Sequence, residues 1–177
     1  LFMWFLGEST WAICVVALRI NPFPSLADFF FLSGYVFLGL AFLLIFKLFS
    51  YVFTEKMLAL LAAVSLALSL TVGYSLLTPI LTSQADRNTI MFSAAYPILD
   101  IGLFVLVLSN FIIFLKGAVG KAWFFLTLGV ALQIVADLLF TYADLQGFYY
   151  EGHPFELFWL WGYAAFLLGF HIHRREL

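Results

Sequence analysis

Two aspartates stand where an aspartate is costly. Asp100 lies about two turns inside the apolar run Ser93 to Phe114, and Asp137 lies in a second apolar run, Trp123 to Tyr142. Either run is long enough to cross a bilayer. A carboxylate at such depth costs roughly 2.5–3.5 kcal/mol on insertion scales, so each needs a compensating role. Three chemistries use intramembrane acids of this kind. Two carboxylates sharing a proton make an aspartyl protease. Acids among aromatic walls make a site for a cationic or hydrogen-bonding ligand. Acids bonded to Tyr and Trp donors, or paired with Arg19 or Arg87, lock helices together.

Other polar residues share the same leaflet. Asp28 and Glu156 stand at the mouths of their runs, where helix capping competes with ligand contact. Glu8 lies deeper, some 18 Å from the matching end of the first run at helical rise. Asp100 and Asp137 come out roughly level, about 8–12 Å below that surface. Tyr96 and Pro97 precede Asp100 by a turn, and a proline there frees a backbone carbonyl and can widen a cavity. Asp144 is seven residues after Asp137, on the same helical face if the helix extends that far. The expected outcome is an acidic pocket open to water.

Composition decides what must position these groups. Of 177 residues, 65% are apolar and 10% charged, against ~45–50% and ~25% in soluble domains. The mean hydropathy is +1.09. No basic patch exists for nucleic acid, and the one cysteine, Cys14, gives no disulfide framework or zinc knuckle. Six segments are expected to span a membrane: Leu1–Ile20, Asp28–Phe49, Met57–Leu81, Met91–Leu115, Ala122–Tyr142 and Phe155–His171. The fold class is therefore an all-α polytopic transmembrane bundle, with one domain over residues 1–177. The opening on Leu1 and the close on HIHRREL suggest a piece of a longer chain; if a preceding helix has been removed, the parent would have seven spans. Lys47, Lys56, Lys116, Lys121, Arg174 and Arg175 fall on one side, leaving only Arg19 and Arg87 on the other. The positive-inside rule puts both termini in the cytoplasm of a multi-pass cell-membrane protein and the acids in the outer half. Ser65, Ser69 and Gly73 form a small-residue stripe suited to close helix packing. Trp159, Trp161, Tyr149 and Tyr150 are placed in the outer aromatic belt.

Several chemistries lack residues. Every Lys lies at a span end, which excludes a retinal Schiff base, and no facing spans carry His for haem. His153 with Glu151 and Glu156 matches no defined metal motif, so no metal is expected. No cofactor is indicated. The presenilin-type protease pattern is not met: the chain has YPILD and IVADLL, with no glycine before Asp137. No enzymatic activity is expected. A transporter would need polar residues through both leaflets, and the inner half has almost none.

The phrases ESTWA at 8–12, PFPSLADFFFLSGY at 22–35, AYPILDIGLF at 95–104, VADLLFTYADLQGFYYEG at 135–152 and WLWGY at 159–163 occur in this order. Together they resemble the multi-helix amino-terminal membrane modules of prokaryotic sensor histidine kinases and diguanylate cyclases. That resemblance implies a sensory input domain, with Glu8, Asp28, Asp100 and Asp137 at the recurrent acidic positions. The expected ligand-contacting set is Glu8, Trp11, Asp28, Tyr96, Asp100 and Asp137. The expected partners are membrane lipid, a small molecule or ion from outside, a cytoplasmic signalling domain and a second copy of the chain. A structural or assembly subunit of a membrane complex is the alternative.

Overall fold

The computed structural model describes residues 1–20, 23–117, 120–150 and 152–176. Six helices run through them: α1 Phe2–Leu18, α2 Leu26–Leu48, α3 Glu55–Thr82, α4 Arg87–Leu115, α5 Lys121–Leu145 and α6 Glu156–Glu176. No strand occurs among the described residues. Each helix coincides with one expected span to within a few residues. Four of them, α2 to α5, are long and apolar enough to cross a membrane. Helix α1 is shorter, and Trp, Tyr and His dilute the apolar character of α6.

The helix boundaries follow from local chemistry. Ser25 and Asp28 close a capping box at the start of α2, where Ala27 N donates to Ser25 Oγ (3.1 Å) and Ser25 N donates to Asp28 Oδ2 (2.7 Å). Asp86 caps α4 by accepting from the backbone N–H of Asn88 at 2.9 Å and of Thr89 at 3.2 Å. Gly117 ends the last turn of α4 at φ 71°, a conformation that a side chain would strain. The last turns of α1 widen to π geometry over Ile13–Leu18, and Arg19 closes them in the left-handed region at φ 53°. Helix α4 runs unbroken through Pro97.

The Asp86 cap carries a pH prediction. The Thr89 hydroxyl, then the Thr89 and Asn88 amides, stabilise its carboxylate and hold its pKa below the ordinary Asp value. A group lowered on folding contributes stability above its unfolded pKa and loses it as pH falls through the folded one. Acidification below about pH 4 should therefore fray the first turn of α4. Faster amide exchange at Asn88 and Thr89 in acid, reproduced at neutral pH by Asp86→Ala, is the expected result. Unchanged protection in that variant would show that the cap is idle.

Five helices close into a ring. The buried core takes Trp4 from α1, Tyr35 and Phe42 from α2, Leu103 and Val107 from α4, Val130 and Ile134 from α5 and Phe166 from α6. Helix α4 packs between α2 and α5, α5 packs along the length of α6, and α1 packs on α2. The Trp4 and Phe166 rings, 6.1 Å apart, close the circle between α1 and α6. Helix α3 contributes nothing to this core and leans on the outside of α4. With short connections the helices alternate in direction. Lys47, Lys56, Lys116, Lys121, Arg174 and Arg175 thus collect at one end of the bundle, with Arg19 and Arg87 at the other.

The tightest packing is not at the stripe expected on α3. A Cβ added at Gly73 would meet nothing within 4 Å. Small residues instead recur every seventh position along α5, at Ala122, Gly129, Ala136 and Ala143, all buried. Gly129 and Ala122 face Gly162 and Gly169 of α6, also seven apart. A Cβ on Gly162 would come within 3.1 Å of the Gly129 carbonyl oxygen, and one on Gly169 within 3.1 Å of the Ala122 carbonyl oxygen. A heptad of small residues lets two backbones approach where lipid offers no hydrophobic drive to association. The outer faces carry exposed Leu, Phe and Val throughout.

Candidate functional site

Asp28, Asp100 and Asp137 meet on the inside of the ring and Glu8 stands exposed on α1, each opposite an aromatic donor from another helix. Tyr35 of α2 is the hub. Its hydroxyl oxygen lies 2.7 Å from Asp100 Oδ1 of α4 and 2.6 Å from Asp137 Oδ2 of α5. The Trp159 indole of α6 donates to Asp137 Oδ1 at 2.7 Å. One short chain of bonds therefore joins four helices. Asp100 is 1% exposed and Tyr35 4%.

Further bonds extend the cluster around the ring. The Tyr96 hydroxyl of α4 donates to Asp28 Oδ1 at 2.6 Å, leaving Oδ2 of that residue for the capping box. The Tyr35 and Tyr96 rings stand edge to face at 6.2 Å. Tyr163 of α6 donates to Glu8 Oε1 of α1 at 2.7 Å. The Trp4 indole closes the remaining seam by donating to the Phe31 carbonyl of α2 at 3.2 Å. A belt of side-chain hydrogen bonds thus runs through all five ring helices. Bonds made inside a membrane have no competing water, although measured values for such pairs still average about 0.6 kcal/mol. A belt holds by number and by the burial of Asp28 and Asp100.

The helices place these groups by simple periodicity. Asp28 and Tyr35 are seven apart on α2, and Tyr96 and Asp100 four apart on α4. Trp4 and Glu8, and Trp159 and Tyr163, are four apart on α1 and α6. Each pair falls on one helical face, so α1, α2 and α4 each present an aromatic donor with an acid and α6 presents two donors. On α5, Gln133 occupies the position one turn from Asp137 and donates to the Trp159 carbonyl at 3.3 Å.

Of the six residues expected to line a site, Asp28, Tyr96, Asp100, Asp137 and Glu8 enter this network. Trp11 is partly buried and makes none of these bonds. The residues that sequence reasoning passed over are Tyr35, Tyr163 and Trp159. Trp159 was placed in the interfacial belt but points inward to Asp137. Asp144 is exposed at the end of α5 and takes no part. Glu156 binds the loop before its helix, accepting from the Gly152 amide and the Tyr149 hydroxyl, both at 2.8 Å. Arg19 and Arg87 are exposed, and among the described residues no ion pair joins either to an acid.

The expected widening at Pro97 is filled: Pro97 is buried, and the nearby acids meet Tyr96 and Tyr35. Two grooves on the bundle are apolar. One, of about 340 Å³ between α2 and α4, has Tyr35, Gly39 and Gly102 among its lining residues. The other, of about 280 Å³, runs between α2, α5 and α6 past Phe42, Trp123 and Phe166. Neither is lined by a carboxylate. Among the described residues no group of three or more His, Cys, Asp or Glu could hold a metal ion, and Glu151 lies outside those residues. Searches of protein-family models, curated proteins and solved structures find no match to this chain, so the functional reading rests on this hydrogen-bonded belt and its setting.

Proposed function

We propose that this chain is a membrane-embedded sensory input module whose moving parts are held by the Asp100–Tyr35–Asp137 bridge. In this reading all six helices cross the bilayer, both termini are cytoplasmic, and the acidic belt lies in the outer half. The observation that carries the proposal is that one buried hydroxyl and one indole tie α2, α4, α5 and α6 through two carboxylates. Anything that competes for those carboxylates changes four helix contacts at once. Because α5 and α6 are packed as one unit along their small-residue heptad, such a change would be delivered to the end of α6 at Arg174 and Arg175. The ligand enters as a small cation or hydrogen-bonding molecule from outside, binding one helix arrangement better than the other. The resemblance to the input modules of histidine kinases and diguanylate cyclases supplies the partner, a cytoplasmic signalling domain in a dimeric parent.

Asn in place of either aspartate keeps the shape but removes the ionisable carboxyl. In the intact parent protein, Asp100→Asn and Asp137→Asn should each hold output activity at one level on stimulation, with membrane-inserted protein unchanged. A normal response from both would remove the bridge from signalling.

A second reading, an assembly subunit, draws on the same bonds, because each belt acid already has a protein donor. It expects the variants to lose stability or assembly and output to be irrelevant. Proteolysis is not proposed, because the Tyr35 hydroxyl occupies the place between the two carboxylates where an attacking water would sit.

A further inference from the structure

The bridge poses a question of hydrogen inventory. A tyrosine hydroxyl has one hydrogen, and an ionised carboxylate has none to give. Yet the Tyr35 oxygen lies within hydrogen-bonding distance of two carboxyl groups, at 2.7 Å and 2.6 Å. One hydrogen cannot fill both contacts. If both acids were ionised, one contact would set an anionic oxygen against the lone pairs of the hydroxyl, close and away from water, where such repulsion is strongest. A second hydrogen completes the bridge.

The surroundings say which acid holds it. Asp137 has a donor at each oxygen, the Tyr35 hydroxyl at Oδ2 and the Trp159 indole at Oδ1. Those are the partners of an anion. Among the described residues, the hydrogen bonds of Asp100 are confined to the Tyr35 contact. The consistent arrangement is Asp100 O–H donating to Tyr35 Oη, Tyr35 O–H donating to Asp137 Oδ2, and Trp159 N–H donating to Asp137 Oδ1.

We propose that the Asp100–Tyr35–Asp137 bridge is a proton-operated latch, closed while the carboxyl of Asp100 holds a proton and opened when that proton passes to water. This deepens the sensory reading, on which it rests for the meaning of the movement, by naming the proton as the species that works the bridge. Opening breaks the Asp100–Tyr35 contact or the Tyr35–Asp137 contact. In either case the link that joins α4 to α5 through Tyr35, and through the Gly129–Gly162 crossing to α6, is broken. The titratable groups that face the bridge from the neighbouring helices are Asp28 on α2, Tyr96 on α4, Glu8 on α1 and Tyr163 on α6. Asp28 and Glu8 each have a tyrosine donor of their own, and among the described residues no Lys, Arg or His bonds to any of the three bridge residues. No cation is at hand to take the place of the proton.

Two measurements on the full chain in lipid nanodiscs test this. Infrared spectra with carboxyl-labelled aspartate should show a protonated carboxylic acid band at neutral pH that is absent in Asp100→Asn and disappears on raising the pH. In a Cys14→Ala background, spin labels at Leu115→Cys on α4 and Leu168→Cys on α6 should report a change of distance over the same pH interval. The distance in the Asp100→Asn version of that pair should not respond to pH. No protonated band at any pH where the chain is folded would overturn the proposal, as would a band that titrates while the distance stays constant. Neither result depends on an output domain. A latch that works in nanodiscs beside normal responses of both Asp100→Asn and Asp137→Asn in the parent would sink the sensory reading and leave the latch standing.

Discussion

Tyr35→Phe is expected to destabilise the bundle by about 3 kcal/mol, the cost of leaving a buried acid without its hydrogen-bond partner. The substitution removes one oxygen and preserves the ring that packs in the core beside Trp4. Loss of apolar contact is therefore negligible, and the effect belongs to the bridge. Asp137 retains the Trp159 indole, whereas Asp100 loses its contact with Tyr35 while 1% exposed. Unfolding in mixed detergent micelles measures the change. Tyr51→Phe, at a side chain 77% exposed, is the control and should fall within about 0.5 kcal/mol of the parent chain. Asp100→Asn should cost about 1 kcal/mol or less, because an amide N–H can give Tyr35 the hydrogen that a protonated acid gives. This ordering, with the conservative aromatic change far worse than the loss of an acid, is the reverse of what an ionic lock would show. A Tyr35→Phe chain as stable as the Tyr51→Phe control would mean that the two carboxyl groups close on each other without the hydroxyl.

The helices were legible because their signal is strong: apolar runs with one or two breakers between them have few other ways to fold. The acids were legible for the same reason, since a carboxylate in such a run is conspicuous. Their partners were not, although the spacing was there. Tyr35 stands seven residues after Asp28 within FFFLSGY, and Trp159 four before Tyr163 within WLWGY. An aromatic residue in a chain with 23 Phe, 8 Tyr and 5 Trp draws no notice unless its hydroxyl or indole N–H is counted as a donor in need of an acceptor. Asp137 and Trp159, on consecutive helices that run in opposite directions, meet because each lies a few turns from the same connection. The position of α3 outside the ring was hidden for another reason. Its apolar face toward lipid is built of the same Leu and Val that face protein elsewhere, and hydropathy cannot tell the two apart.

The small-residue heptad carries the second large effect. Gly162→Leu should cost about 3 kcal/mol, at the upper end for overpacking, and should separate α5 from α6. Its Cβ alone would lie 2.8 Å from Gln133 Nε2 and 3.1 Å from the Gly129 carbonyl oxygen. The Gln133 side chain can swing aside, at the expense of its bond to the Trp159 carbonyl. The Gly129 carbonyl cannot, because it is helix backbone, so the two helices must move apart. Gly73→Leu provides the contrast: nothing lies within 4 Å of that site, so the change should be within about 0.5 kcal/mol of neutral. The comparison also bears on function. Prising α6 from α5 at Gly162 strains the Trp159–Asp137 bond one turn away, so the variant should alter the distance between α4 and α6 labels at constant pH. If Gly162→Leu proved as mild as Gly73→Leu, the α5–α6 crossing would be looser than its geometry implies, and α6 could not move with α5 as one body.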